Sequence, residues 1–330
     1  MNDPIKGDAT ALSVQAAVMA KLGRNRPVNS FVPARLAGSN VGVDGVLYLN
    51  DRQYSSEYPN SFLDIWHPDA DLTTPRPVLV YFHGGGFLFG DKIAGDPLAA
   101  GPGDGIRALI DGFMEDGFCV VCPEYAFAPE HRFPTQVRQV DQVLAYLQAH
   151  AAEFALDMDR VVLMGGSAGA SLSEIAGLVI SDPAYGELVG IRSSIRADQV
   201  RGLIIDEAAL TSRGVSDNNM RTLFEVWLGE EDLEDGAAAR LIDVPTHIAG
   251  AYPPAFINTS NLEPWFVRSA NDLRDALERQ GLPHEYFYRD QSVDSLEHGY
   301  VNRHATNVVA AECYRRMREF ASRVVAAPRA

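Results

Sequence analysis

Ser167 stands in a ten-residue stretch whose composition predicts a nucleophile. The β-branched and apolar run 161–164 is followed by Gly165-Gly166-Ser167-Ala168-Gly169 and then by an alanine- and leucine-rich segment. This is the pattern of a strand, an abrupt turn and a helix. The serine of such a turn takes a strained backbone conformation, and glycines two residues to either side let the strand and the helix approach each other. The spacing therefore predicts that the serine hydroxyl projects from the turn.

A second glycine-rich turn lies upstream, where the apolar run 80–82 leads into His83-Gly84-Gly85-Gly86-Phe87. Consecutive glycines let backbone N–H groups converge on one point, where they can stabilise the oxyanion of an acyl-transfer intermediate. An ordinary flexible turn is the alternative. Phosphate binding is not indicated, because the P-loop Lys-Ser/Thr pair and the Rossmann spacing are both missing. His83 is interpreted as a structural anchor of the loop.

A serine nucleophile needs a general base, and His298 is the best placed of the eight histidines. It falls in the loop between the last predicted strand and the last predicted helix, at the sheet edge expected for Ser167. The acid that orients the imidazole should follow the penultimate strand, where Glu263 lies. Glu263 could instead be a first-turn glutamate that favours the helix dipole. Asp290 and Asp294 are its main competitors, because they lie close to the histidine in sequence.

The elements that must position these residues alternate between short apolar runs and longer amphipathic segments. This alternation predicts an α/β fold with a mostly parallel sheet of about eight strands, flanked by helices on both faces. The predicted strands are 45–50, 61–67, 78–83, 118–125, 160–165, 200–206, 255–260 and 284–289. The predicted helices are 106–116, 136–150, 168–180, 263–280 and 302–325, the last with apolar residues at helical spacing.

Two regions fall outside the alternation and are predicted to form a small helical cap. One is the N-terminal segment 1–40, with a helix expected at 11–22, and the other is the insertion 208–252, with a helix expected at 219–228. Open α/β sheets bind ligands at the carboxyl ends of their strands, which such a cap would cover. The resulting division is an N-terminal cap segment 1–40, core residues 41–207, a cap insertion 208–252 and core residues 253–330.

Composition excludes several functional classes. The formal net charge of −16 argues against a nucleic-acid surface, which needs clustered Lys and Arg. Residues 1–27 lack the sustained apolar region of a signal peptide. No stretch approaches the roughly 18 apolar residues of a membrane span. We therefore expect a cytoplasmic protein with neither a nucleic-acid partner nor a membrane span.

Cys119 and Cys122 have the C-x-x-C spacing of a redox pair. They lie, however, in a buried-strand pattern rather than at a helix N-terminus, so their side chains should point to opposite faces of a sheet. A redox role is rejected on this ground.

Four motifs in a shared order resemble those of the hormone-sensitive-lipase-like carboxylesterases, a family of the α/β-hydrolase superfamily. They are His83-Gly84-Gly85-Gly86-Phe87, the run 123–134 (PEYAFAPEHRFP), Gly165-Gly166-Ser167-Ala168-Gly169 and His298-Gly299-Tyr300. The resemblance implies an α/β-hydrolase fold with a triad of Ser167, Glu263 and His298, in that chain order. It also implies oxyanion N–H donors from Gly85, Gly86 and Ala168, with no metal and no organic cofactor.

Three departures from the family pattern leave the subfamily and the substrate open. Glu263 stands where the family usually has aspartate. Gly166 replaces the Asp or Thr that commonly precedes the serine, and Ala170 replaces a frequent glycine.

The activity implied by the resemblance is hydrolysis of short- to medium-chain carboxylic esters by a serine esterase. Phe87 and Leu88 of the oxyanion loop, with Phe224 and Trp227 of the presumed cap, are expected to narrow the acyl slot, although ordinary packing between cap and core would explain the same residues. An amidase or deacetylase with the same triad is the first alternative. A non-catalytic ligand-binding homologue is the second, disfavoured because the histidine is present. The expected partner is a small-molecule ester, and a homo-oligomer is compatible with the sequence.

Overall fold

The computed structural model describes residues 29–31, 33, 39–42, 44–92, 106–209 and 211–328. In this part of the chain nine strands form one sheet: β1 (Ser39–Val41), β2 (Leu47–Gln53), β3 (Phe62–His67), β4 (Arg76–Phe82), β5 (Cys119–Pro123), β6 (Leu156–Gly166), β7 (Val200–Asp206), β8 (Ala255–Asn258) and β9 (His284–Phe287). Their order across the sheet is β1-β2-β3-β5-β4-β6-β7-β8-β9. Neighbours from β1 to β5 pair antiparallel, and all pairs from β5 through β4 to β9 are parallel.

Helices follow most of the parallel strands. They are α1 (Ile106–Glu115), α2 (Thr135–Ala149), α3 (Ala168–Ser181), α4 (Pro183–Val189), α5 (Asn218–Leu228), α6 (Ala237–Ile242), α7 (Val244–His247), α8 (Pro264–Gln280) and α9 (Val308–Ala326). Short 3₁₀ turns occupy Ala197–Gln199 and Tyr300–Arg303. The predicted α/β fold is thereby confirmed. The predicted last helix is interrupted: the chain makes a 3₁₀ turn first, and α9 begins only where the Asn307 side chain accepts a hydrogen bond from the N–H of Ala310 at 2.8 Å.

The core lies in two layers because side chains alternate across the sheet. Along β4, Val78 and Val80 pack with α2, α3 and α8 on one face, whereas Leu79 packs with α1 and α9 on the other. Cys119 and Cys122 form no disulfide, are buried and lie in different layers, as predicted. Within the described residues, no helix is both long enough and apolar enough to span a lipid bilayer.

The two regions assigned to a cap differ in what the structure describes. The helix predicted at 11–22 lies outside the described residues. The insertion after β7 contains α5, α6 and α7 before the chain returns to the sheet at β8. The predicted helix at 219–228 corresponds to α5, which begins where the Asp217 carboxylate accepts a hydrogen bond from the N–H of Met220 at 2.9 Å.

Three backbone segments meet without intervening side chains where β6 turns into α3. A Cβ atom added to Gly165 would lie 2.1 Å from the carbonyl carbon of Gly169, and one added to Gly169 would lie 1.9 Å from the carbonyl oxygen of Phe82 in β4. Both distances are far below contact, and the obstructing atoms are backbone atoms that cannot swing aside. The position of the following turn therefore depends on these two glycines.

We predict that Gly169→Ala destabilises the protein by about 3 kcal/mol or more, because β4 or α3 must shift to admit the methyl group. Urea titration followed by circular dichroism measures the change. Gly166→Ala is the matched control, since its Cβ would meet only side-chain atoms at 3.5 and 3.8 Å. Equal stability losses in the two variants would show that the close approach does not constrain the fold.

Candidate active site

Ser167 lies at the turn between β6 and α3 with φ 55° and ψ −118°, a conformation that non-glycine residues rarely adopt. The turn is held from both sides: the Ser167 N–H donates to the carbonyl oxygen of Asp206 at 2.9 Å, and the N–H of Ser171 donates to the Ser167 carbonyl at 3.1 Å. Ser167 borders a cavity of about 570 Å³ at the carboxyl ends of the parallel strands. Such strain at the mouth of a cavity is typical of a functional residue.

His298 borders the same cavity and is paired with Glu207. The Nδ1 atom of His298 lies 2.8 Å from Oε2 of Glu207, and that oxygen also accepts the backbone N–H of Gly299 at 2.5 Å. The Glu207 side chain is only 2% exposed, whereas that of His298 is 36% exposed. The imidazole stacks on the ring of Phe266, with centroids 4.3 Å apart and planes 9° apart. The ring is therefore held at one nitrogen and along one face.

Glu263, the acid expected from the sequence, is not the residue that contacts the histidine. It lies at the start of α8 and lines the cavity, but its Oε2 atom is buried and has no hydrogen-bond partner among the described residues. The reason is the sheet order: β7 and β8 are parallel neighbours, so both strands end at the histidine loop. Glu207 follows β7 directly, with φ 60°, and its N–H donates to the carbonyl of Asn258 at the end of β8 at 3.1 Å.

The other two carboxylates that competed for this role are engaged elsewhere. Asp290 accepts the N–H of Ser292 at 2.9 Å, and Asp294 accepts the side-chain amide of Asn307 at 2.7 Å. Sequence reasoning missed Glu207 because it considered only residues after the penultimate strand. The available signal was the pair Asp206-Glu207 at the carboxyl end of a buried apolar strand.

The surroundings change the ionisation of two groups at this end of the sheet. Burial lowers the pKa of His298, but the hydrogen bond and the negative charge of Glu207 outweigh it, so the pKa is raised above the ordinary histidine value. Burial raises the pKa of Asp206 to about 7, and the charge of Glu207 adds to this rise. The side-chain amide of Asn258, which donates to Asp206 at 2.6 Å, acts in the opposite direction.

The glycine loop passes directly beside the serine. A Cβ atom added to Gly84 would lie 3.4 Å from the Cβ of Ser167. The N–H groups of Leu88 and Phe89 both donate to the carbonyl of Gly85, at 3.1 and 3.2 Å, and close a tight turn. Gly85 has φ 114°, and a Cβ there would lie 1.9 Å from the Phe89 carbonyl oxygen. Only glycine fits that position. The predicted donors Gly85, Gly86 and Ala168 all line the cavity.

His83 connects this loop to the strand behind it. Its Nε2 atom lies 2.9 Å from Oε1 of Glu124, and its ring stacks on Tyr125 with centroids 4.3 Å apart. The Tyr125 hydroxyl donates to the His83 carbonyl at 2.7 Å. These contacts agree with the interpretation of His83 as an anchor of the loop.

The four residues expected to bind substrate divide into two layers. Phe87 and Phe224 line the cavity. Leu88 and Trp227 do not: both are fully buried in the core. Trp227 stacks behind Phe87, with centroids 3.6 Å apart and planes 7° apart, and its indole N–H donates to Gln136 at 3.0 Å. The assignment of Leu88 and Trp227 to the cavity wall is therefore corrected, because sequence position did not reveal which aromatic ring faces inward.

The chain is similar in sequence to known proteins. The BD-FAE family model matches residues 63–270. Esterase LipC of Mycobacterium tuberculosis is 30% identical over 48% of this chain and 35% of its own length, and carboxylesterase NlhH of the same organism is 26% identical over 81% and 76%. The chain spans about a third of the length of the first curated relatives that it matches.

Among solved structures, esterase B of Lactobacillus rhamnosis superposes with a TM-score of 0.75 at 18% identity, covering 99% of this chain and 97% of that one. The same esterase has been solved with a tributyrin phosphonate inhibitor. The resemblance inferred from the four motifs is thereby confirmed, together with the fold that it implied.

We predict that Glu207→Gln lowers the pKa of His298, because it removes the negative charge that favours the imidazolium. The protonation of the ring can be followed by NMR titration of the imidazole carbon-bound protons. Glu263→Gln also removes one carboxylate, but not the one that contacts Nδ1 of His298. This control should therefore lower the pKa of His298 less than Glu207→Gln does. A larger shift in the Glu263 variant would mean that the histidine takes its acid from α8.

Proposed function

The chain belongs to the BD-FAE family, and from this premise we propose that it is a serine carboxylesterase that hydrolyses carboxylic esters through an acyl-enzyme on Ser167. One observation carries the proposal: a strained serine and a histidine–carboxylate pair border one cavity, beside a glycine loop. Relatives named esterase and carboxylesterase support the same reaction.

In the proposed mechanism His298 takes the proton of the Ser167 hydroxyl while the oxygen attacks the ester carbonyl. A neutral imidazole that donates from Nδ1 to Glu207 presents its unprotonated Nε2 as the base. The Glu207 carboxylate then stabilises the imidazolium. Glu207 thus takes the role that the sequence resemblance gave to Glu263. The imidazolium returns its proton to the leaving alcohol, and a water activated in the same way releases the acyl group.

The backbone N–H groups of Gly85, Gly86 and Ala168 are proposed to bind the oxyanion of the tetrahedral intermediate. Removal of a single oxyanion donor typically costs about a hundred- to a thousand-fold in turnover, so each of these amides is expected to contribute substantially to the rate. Every step in this sequence is completed by side chains, backbone amides and water, and it calls for neither a metal nor an organic cofactor.

The organisation of the chain around the site is also a proposal. We propose that segment 1–40 and insertion 208–252 form the cap; the contribution of Leu223 and Phe224 of α5 to the cavity wall supports this for the insertion. The three cysteines form no disulfide and are buried, which fits a reducing compartment and supports a cytoplasmic location.

Ser167→Ala should reduce turnover of p-nitrophenyl acetate by on the order of a million-fold, because it removes the nucleophile. Ser173→Ala is the control on the same helix: its hydroxyl donates to the Gly169 carbonyl at 3.1 Å and lies outside the cavity lining. Circular dichroism checks that both variants fold. Turnover above about a tenth of wild type in the Ser167 variant would exclude an acyl-enzyme on this residue, and faster cleavage of a matched p-nitroanilide would favour an amidase.

A panel of p-nitrophenyl esters from acetate to palmitate should show an optimum between roughly two and eight acyl carbons. The physical reason is that two bulky rings occupy the cavity wall, Phe87, which is supported from behind by Trp227, and Phe224. Phe224→Ala should move the optimum to longer chains. Wild-type hydrolysis of palmitate as efficient as that of butyrate would contradict a narrow acyl slot while leaving the nucleophile in place.

A further inference from the structure

The wall of the cavity carries an excess of negative charge. Of the described residues that line it, none is a lysine or an arginine, whereas five carry carboxylates. These are Asp91, Asp206, Glu207, Asp217 and Glu263. The two histidines of the wall, His83 and His298, each lie against a glutamate. Such a field disfavours an anionic ligand and attracts a cationic one.

Two carboxylate oxygens of this wall have no hydrogen-bond partner among the described residues. Oε1 of Glu207 and Oε2 of Glu263 are both buried and accept no hydrogen bond from the described residues. The other oxygen of Glu207 is satisfied by His298 and Gly299, and Asp217 is used by the first turn of α5. A buried, unpaired carboxylate oxygen is costly unless a donor or a cation meets it. Both acids lie near His298: Glu207 contacts it directly, and Glu263, at the start of α8, acts on it electrostatically.

Aromatic rings border the same place. Trp265 and Phe266 follow Glu263 in the first turn of α8, and both line the cavity. One face of Phe266 is covered by His298. An ammonium group is attracted to the face of an aromatic ring and to a carboxylate alike, and the two attractions add when water is excluded.

We propose that the cavity accepts esters that carry a positively charged ammonium group, with Glu263 as the residue that determines this preference. The inference rests on the proposed esterase function and deepens it by naming a class of substrate. It also assigns a task to Glu263, which lines the site but does not contact the histidine. The charge can belong to the alcohol or to the acyl part of the ester, and the test separates the two.

The test compares each cationic ester with a neutral ester of the same shape. Acetylcholine and 3,3-dimethylbutyl acetate form the alcohol pair. The p-nitrophenyl esters of 4-(trimethylammonio)butanoate and 5,5-dimethylhexanoate form the acyl pair. For wild type we expect kcat/KM of the charged member to exceed that of the neutral member by about tenfold in one pair, which identifies the side that Glu263 holds. Equal values in both pairs, or a preference for the neutral members, would overturn the proposal.

Two variants that each remove one charge locate the effect. Glu263→Gln should lower the charged-to-neutral ratio about tenfold, whereas Asp217→Asn, on the same wall but already bonded to α5, should lower it less than about threefold. Equal reductions in the two variants would mean that the preference comes from the general field. Proportional loss of both esters in Glu263→Gln, with the ratio unchanged, would mean that Glu263 serves the triad. Either result overturns the proposal.

A binding measurement separates this inference from the proposed function. Calorimetric titration with choline and with 3,3-dimethylbutan-1-ol requires no turnover. Tighter binding of choline by wild type, lost in Glu263→Gln, would support the cation site even if no ester were hydrolysed. Hydrolysis of neutral esters without any preference for charge, in turnover or in binding, would remove the inference and leave the esterase.

Discussion

The contact of three backbone segments at Gly165, Gly169 and Phe82 is the constraint on which the site depends. Because β4, β6 and the start of α3 touch without side chains between them, the turn that carries Ser167 cannot relax into an ordinary conformation. The same contact brings the loop after β4 beside the serine, so that a Cβ atom added to Gly84 would lie 3.4 Å from the Cβ of Ser167. The nucleophile and the proposed oxyanion donors are thus positioned by one packing arrangement.

Behind the glycine loop, a network of buried charged side chains also holds the loop in position. Glu124 receives His83 on one oxygen and the backbone N–H of Lys92 on the other, at 2.9 and 3.2 Å. The Lys92 ammonium in turn contacts Asp51 and Asp64 at 2.8 and 2.6 Å, with all three side chains almost completely buried. Burial of such groups brings little net stability, but the loss of one partner leaves an uncompensated charge. We therefore expect that removing one partner of this network would destabilise the loop.

Sequence patterns predicted the parts of this protein that depend on local chemistry. The turn at Ser167, the glycine loop and the alternation of strands and helices each follow from residue types at short spacing. The elements that were not predicted are short. β1 has only three residues. α4 follows α3 almost directly, although the Asp182 side chain accepts the N–H groups of Ala184 and Tyr185 at the start of α4. The acid that pairs with His298 was not predicted for a different reason. The choice between Glu207 and Glu263 depends on how two parallel strands end relative to one loop, which local spacing does not contain.

The geometry around His298 explains why the histidine is hydrogen-bonded to Glu207 and not to Glu263. Nδ1 has a single proton to donate, so only one acid can accept it. Oε2 of Glu207 receives a second donor from the backbone of Gly299 and is therefore held in place independently of the imidazole. Glu263 has no comparable support, since its Oε2 accepts no hydrogen bond from the described residues. A carboxylate already held by the backbone loses less conformational entropy on pairing, and this difference favours Glu207. Glu263 lines the cavity without taking part in this pair, which leaves it available for the role in substrate preference that we propose.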